Sequence, residues 1–271
     1  QFNNYGGAYA INNVVKHNAV WDWTDYYLGS DGKFLTNLPY NSIIRMEDNV
    51  IFNIRETDTA KILKVITSNG RSINIQNTPS FKIRAVGVGA NNINAATGTS
   101  FIDEDVDWYT VELLNDAQAT ISEVKRFTLD HTCKGEGATT LTYLNTGGSW
   151  SVFHFMGERT KTVSNKKTKY RKNVGSFDGV STYGYSKSDR GTTTIYNDVK
   201  EVHTINTKYL RPNEGDLIED LINSPEVFEV VDGELLAIDI NTSSVKIKKK
   251  SIDKLISYSL QFEYANKNLA Q

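Results

Sequence analysis

The stretch "TTLTYLNTGGSWSVFHF", residues 139–155, decides the fold. Two runs of alternating character flank Asn145-Thr146-Gly147-Gly148, a cluster of turn-forming residues, so the segment reads as a β-hairpin. Alternation groups Leu141, Tyr143, Trp150, Val152 and His154 and sets Phe153 and Phe155 on the opposite face. Apolar residues on both faces imply a hairpin buried on both sides.

The period of two continues outward. "NVIFNIRE" (49–56) alternates Val50, Phe52 and Ile54 with polar neighbours. "AKILKVITSNGRSINIQN" (60–77) reads as a hairpin, with Asn69-Gly70 suited to the positive φ angles of a type I′ turn. "FKIRAVGVG" (81–89) follows as a strand, and the polar "NNINAATG" (91–98) shows no periodicity. Residues 108–130 read as another hairpin, a short helix over 118–127 being the alternative. Asp232-Gly233 is a second two-residue turn signal. In "KLISYSLQFEYAN" (254–266), Ile256, Tyr258, Leu260, Phe262 and Tyr264 form an apolar alternation. One helix is expected, at about 212–223, where Leu217, Ile218, Leu221 and Ile222 share a face and Ser224-Pro225 stops it. The expected fold is therefore mainly β, with two β-sandwich or barrel-like domains. An N-terminal β-sandwich domain spans 1–97, a connecting β-hairpin segment 98–130, and a C-terminal β domain with one amphipathic helix 131–271.

Composition narrows the function. The chain has 271 residues and a net charge of −2, which provides no global field toward nucleic acid or an anionic membrane. The single Cys133 excludes an intramolecular disulfide and a Cys-based zinc site. No apolar run approaches the ~20 residues that span a bilayer. "QFNNYGGAYAINN" lacks the regions of a signal peptide and an initiator Met, so Gln1 is read as the start of a fragment or processed piece.

"WDWTDYYLGSDGKFLTNLPY" (21–40) combines acids and aromatics. Asp22, Asp25 and Asp31 do not fall at calcium-loop positions, and no closing Glu follows. Trp21 and Trp23 share a strand face, where a core or subunit contact is favoured over a sugar platform. The segment is expected to run as a strand to Tyr27, turn through residues 28–32, and return Phe34, Leu35 and Leu38 to the core. His17, His131, His154 and His203 show no metal-ligand spacing, and no cofactor or metal is expected. His131 and Cys133 are two apart, but Cys133 is read as a buried small hydrophobe. "GVGANN" (87–92) lacks the third Gly, the following helix and the βαβ frame of a dinucleotide site. The acids at 103–107 are read as solvated rather than as a glycosidase pair. The basic "KKTKYRK" (166–172) and "KIKKK" (246–250) are read as edge or exposed strands guarded by Lys. Nucleic acid would enter only as a contact in the lumen of a ring-shaped assembly. No catalytic constellation emerges, and the expectation is a protein without enzymatic activity.

"LTYLNTGGSWSVFHF" resembles a Leu-x-Phe-hydrophobic-Asn-x-x-Gly-x-(Trp/Tyr) pattern of virion structural proteins from phages and prophages of Bacteroidetes. "YLRPNEGDLIEDLINSPEVFEV" (209–230), "LLAIDI" (235–240) and the terminal strand resemble the rest of it. "VVKHNAVWDW" (14–23) and "RAVGVGANNIN" (84–94) extend the likeness. The resemblance implies a tail or baseplate component of a phage particle, built in the host cytoplasm. Its partners would be copies of itself and other virion proteins. It brings no catalytic residues. The alternative is a carbohydrate-binding or adhesin module of a phage fibre or secreted bacterial protein, with a host-surface glycan as partner.

Overall fold

The computed structural model describes residues 32–55, 62–76, 83–133, 138–177, 179–180, 183–210, 214–241 and 256–266. The chain is mainly β and sandwich-like. Its first part holds β1 (Asn41–Ile44), β2 (Ile51–Arg55), β3 (Ile62–Thr67), β4 (Ser72–Gln76), β5 (Ile83–Gly87), α1 (Ala90–Thr97), β6 (Trp108–Leu114) and β7 (Lys125–Leu129). Next come β8 (Thr139–Leu144), β9 (Trp150–Phe155), β10 (Arg159–Arg171), β11 (Ser176–Phe177), β12 (Tyr183–Gly184) and β13 (Thr192–Asn206). The chain continues through α2 (Gly215–Asn223), β14 (Val227–Val231), β15 (Glu234–Ile240) and β16 (Ser259–Tyr264).

Two main sheets result. One has the order β1-β7-β6-β3-β4, and the other β10-β13-β16-β15-β14-β8-β9-β2-β5. Residues 108–129 form the antiparallel hairpin β6–β7 within the smaller sheet. Phe52 and Ile54 of β2 pack with Leu63, Val65, Val111 and Phe127 of the smaller sheet, which makes the sandwich. Further along the large sheet, Leu141, Tyr143, Phe153, Phe155 and Phe262 are covered by Ile218 and Leu221 of α2. Phe34, Leu35 and Leu38 are buried, as the return of that segment to the core requires. The proposed Trp21–Trp23 strand lies outside the described residues.

Three local expectations are corrected. Residues 90–97 are helical although their sequence is polar. Ile93 is fully buried, Asn92 Oδ1 accepts the Val50 N–H at 2.9 Å, and the Asn94 amide bonds both the N–H and the C=O of Ile102 at 2.8 Å. Tertiary hydrogen bonds thus supply what periodicity lacks, and Gly98 at φ 65° ends the helix in the left-handed conformation.

The turn at Asn69-Gly70 is not type I′, because only Gly70 has positive φ (82°). Gly70 N–H bonds Thr67 C=O, and Thr67 N–H bonds Arg71 C=O, giving a three-residue loop with a glycine bulge. The 145–149 turn is built in the same way, around Gly148 at φ 77°. Asp232-Gly233, at φ 51° and 84°, is the two-residue turn expected.

The third correction concerns faces. The three-residue loop pairs Leu144 with Trp150 and Leu141 with Phe153. Leu141 and Tyr143 therefore share the core face with Phe153 and Phe155, while Trp150, Val152 and His154 lie on the opposite face. A hairpin loop sets the register, and the register sets the face of every side chain.

Candidate functional site

Trp150 and Val152 lie in a groove of about 910 Å³ on the face of the large sheet opposite Leu141, Tyr143, Phe153 and Phe155. Alternation along three neighbouring strands builds the floor, because residues two apart share a face. β9 contributes Trp150 and Val152, β8 contributes Thr140 and Thr142, and β14 contributes Phe228 and Val230. The register places Thr142 between Val152 and Phe228. The Trp150 and Phe228 rings are tilted at 46° with centroids 5.8 Å apart. Glu47, Asp48 and Asn91 line the groove, as do Asp232 and Leu235 of the β14–β15 hairpin.

The groove's polar side chains are largely engaged within the molecule. Asp48 Oδ2 lies 2.6 Å from His154 Nε2 and accepts the Arg45 N–H at 2.7 Å. His154 Nδ1 lies 3.0 Å from Thr140 Oγ1. Asn53 donates to Gly148 C=O, and Thr142 donates to Ser151 C=O at 3.2 Å. The Thr140–His154–Asp48 chain has the connectivity of an activated hydroxyl. However, Thr140 is 9% exposed and sits on a strand paired on both sides. Its neighbouring backbone N–H groups are held in the ladders rather than presented to an oxyanion. The chain pins the 45–48 turn to the sheet.

Gly89 fits this corner tightly. A Cβ there would come within 2.5 Å of Asp48 O and Val50 N. "GVGANN" is thus a strand end followed by a helix, a helix its sequence pattern does not announce, but β5 runs antiparallel to β2 and no βαβ frame is present there.

A second feature is an arm. β10 and β13 pair antiparallel from Arg159–Ile205 to Arg171–Thr192. β16 joins β13 only at residues 203–206, so the ribbon runs on for 11 residues, about 35 Å, with no third strand among the described residues. Tyr170, Ile195 and Tyr196 are 46%, 67% and 60% exposed near its end. Ile195 is the extra residue of a β-bulge between the Thr168–Tyr196 and Lys169–Thr194 pairs. Lys166 shares the face of Tyr170 and Tyr196, and Lys167, Lys169 and Arg171 stand on the other face of the ribbon. β10 is the outer strand of the sheet, where its Lys residues suit an edge.

A charged cluster holds the arm's root. Arg159 pairs with Glu229, which is 2% exposed, and its Nη2 lies 3.1 Å from the Tyr264 hydroxyl. That hydroxyl donates to Glu229 Oε2 at 2.7 Å, and Arg159 Nε donates to His203 Nδ1 at 3.3 Å. Burial, then the Arg159 charge, hold the His203 imidazole below its ordinary pKa. Burial and the hydrogen bond to Glu229 push the Tyr264 phenol up.

Other sequence candidates disperse. Cys133 is exposed rather than buried, because it lies beyond the end of β7. His131 Nε2 contacts the Val106 carbonyl at 2.9 Å instead of joining a nucleophile pair. Asp103 forms a two-point bond with Arg71 at 2.8 and 2.9 Å. Residues 246–250 lie outside the described residues. Among the described residues no three His, Cys, Asp or Glu groups gather as metal ligands, and no helix is long and apolar enough to cross a membrane. The groove escaped sequence reasoning; its local signal was Trp150 just past a Gly-Gly turn, but its face depended on register. No family model, curated protein or solved structure matches the chain.

Proposed function

We propose that this chain is a non-catalytic assembly protein that forms homo-oligomers, as a tail or baseplate component of a bacteriophage particle. The arm is the observation that carries the assembly reading. A two-stranded ribbon in water is marginally stable by itself. This one extends about 35 Å past its third strand with aromatic and aliphatic side chains exposed. Contact with another polypeptide would cover those side chains and stabilise the ribbon. The phage setting rests on the resemblance of residues 141–155 and 209–240 to virion structural proteins.

Sedimentation of the whole chain across a concentration series tests assembly. A companion variant with residues 165–199 replaced by an Asn-Gly turn, which joins the paired Ser164 and Lys200, should remain folded and sediment as a monomer. An intact chain that stays monomeric at every concentration defeats the assembly reading. Particles that form complete tails without this protein defeat the phage role.

A further inference from the structure

We infer that the groove of one copy receives the arm tip of another, an inference that rests on the assembly reading above. Charge divides sharply between arm and body. Residues 159–206 hold ten Lys or Arg against four Asp or Glu, a net +6, which leaves −8 for the rest of a chain whose total is −2. The groove carries the complementary sign, with Glu47 among its lining and Asp232 at the β14–β15 turn. Its floor sets Trp150, Val152, Phe228 and Val230 on either side of Thr140 and Thr142, and Leu235 beside it is 59% exposed. The outer part of the arm, next to the segment 172–191 that carries β11 and β12 at its tip, offers the matching features: Tyr170, Ile195 and Tyr196 as apolar anchors among Lys and Arg residues. Aromatic anchors in a desolvated pocket, with charge around them, are the usual centre of a protein interface.

A polypeptide fits the groove better than a sugar. A glycan needs open donors and acceptors, whereas Asp48, Asn53, Thr140 and Thr142 are already bonded within the chain. The chain's own arm is poorly placed to fill the groove. Within the sheet β16 and β15 stand between the arm's strand β13 and the groove's strands β14, β8 and β9. A tip-to-groove contact between copies uses two different surfaces. It is therefore heterologous, and repetition gives a ring if the rotation closes or a filament if it does not.

Two variants at exposed positions test this without disturbing the core. The tip variant is Ile195→Asp with Tyr196→Asp. The groove variant is Asp232→Asn with Leu235→Lys, Asn being tolerated at the positive φ of residue 232. Circular dichroism should show native folding for both, and each alone should lose assembly in sedimentation. An equimolar mixture should recover one contact only, the intact arm of the groove variant seated in the intact groove of the tip variant. It should give a heterodimer and nothing larger. If the intact chain assembles but the groove variant assembles equally well, or the mixture stays monomeric, the inference is overturned while the assembly reading stands. If the intact chain is a monomer, both fall. Glycan-array binding abolished by the groove variant, with assembly unchanged, also overturns the inference and assigns the groove to a sugar.

Discussion

Asp220 offers a quantitative test of how α2 is fastened to the sheet. Its side chain points into the protein, and the residue is 4% exposed. Its Oδ1 accepts the Thr146 N–H at 3.0 Å, which ties the helix to the turn between β8 and β9. Burial raises the carboxyl pKa from 3.8 to about 6, outweighing hydrogen bonds from Asn37 and Thr146 that favour the ionised form. A raised pKa means that the folded state binds the proton more tightly than the unfolded state. The resulting stabilisation is complete below about pH 3.8 and is lost as pH rises through about 6. A difference of about two pH units corresponds to about 3 kcal/mol. Asp220→Asn keeps an oxygen for the Thr146 N–H and removes the titration. Urea unfolding of both proteins, at one low concentration so that assembly does not contribute, gives their stability difference at each pH. The variant should gain about 2.5 kcal/mol of that relative to the parent between pH 4 and pH 7. Taking the difference cancels groups that titrate identically in both proteins. A difference that stays flat across that range would refute the assignment of the cost to a buried carboxylate.

Three further outcomes follow from the geometry. Arg159→Met leaves Glu229 buried without its guanidinium, so denaturant unfolding should show a loss of about 3–5 kcal/mol, and the Arg159→Met, Glu229→Leu double variant should recover much of it. Gly89→Ala places a methyl against backbone atoms of residues 48 and 50, so thermal unfolding should show a loss of about 1–3 kcal/mol, with no relief from trimming side chains nearby. Assembly through a basic tip and an acidic groove should weaken with salt, and at about 1 M, where the screening length is about 3 Å, sedimentation should shift clearly toward monomer.

Some of this protein was legible in its residues alone. The alternation of Val50, Phe52 and Ile54, the strand ending at Tyr264, the two-residue turn at Asp232-Gly233 and the apolar stripe of α2 are local patterns, and each forms as read. They are legible because a period of two or 3.6 places residues close in sequence on one face. The helix at 90–97 was not, since Asn92 and Asn94 are bonded to Val50 and Ile102 rather than to anything the helix contains. Cys133 was misread because residue type predicts burial only where the chain continues into a core.

The groove shows the division most clearly. Sequence determined that Trp150, Val152 and Phe228 alternate along strands. Only the tertiary structure decided that Leu144 pairs with Trp150 and Thr142 with Phe228, which turns these rings away from the core and toward each other. Equally, the basic run at 166–172 announced an exposed strand, but its projection as an arm depends on where β16, some 90 residues later, stops pairing. Alternation is a property of one strand. The face it presents, and whether anything lies beside it, are properties of pairings between residues far apart in the chain, and those are made only when the sheet assembles.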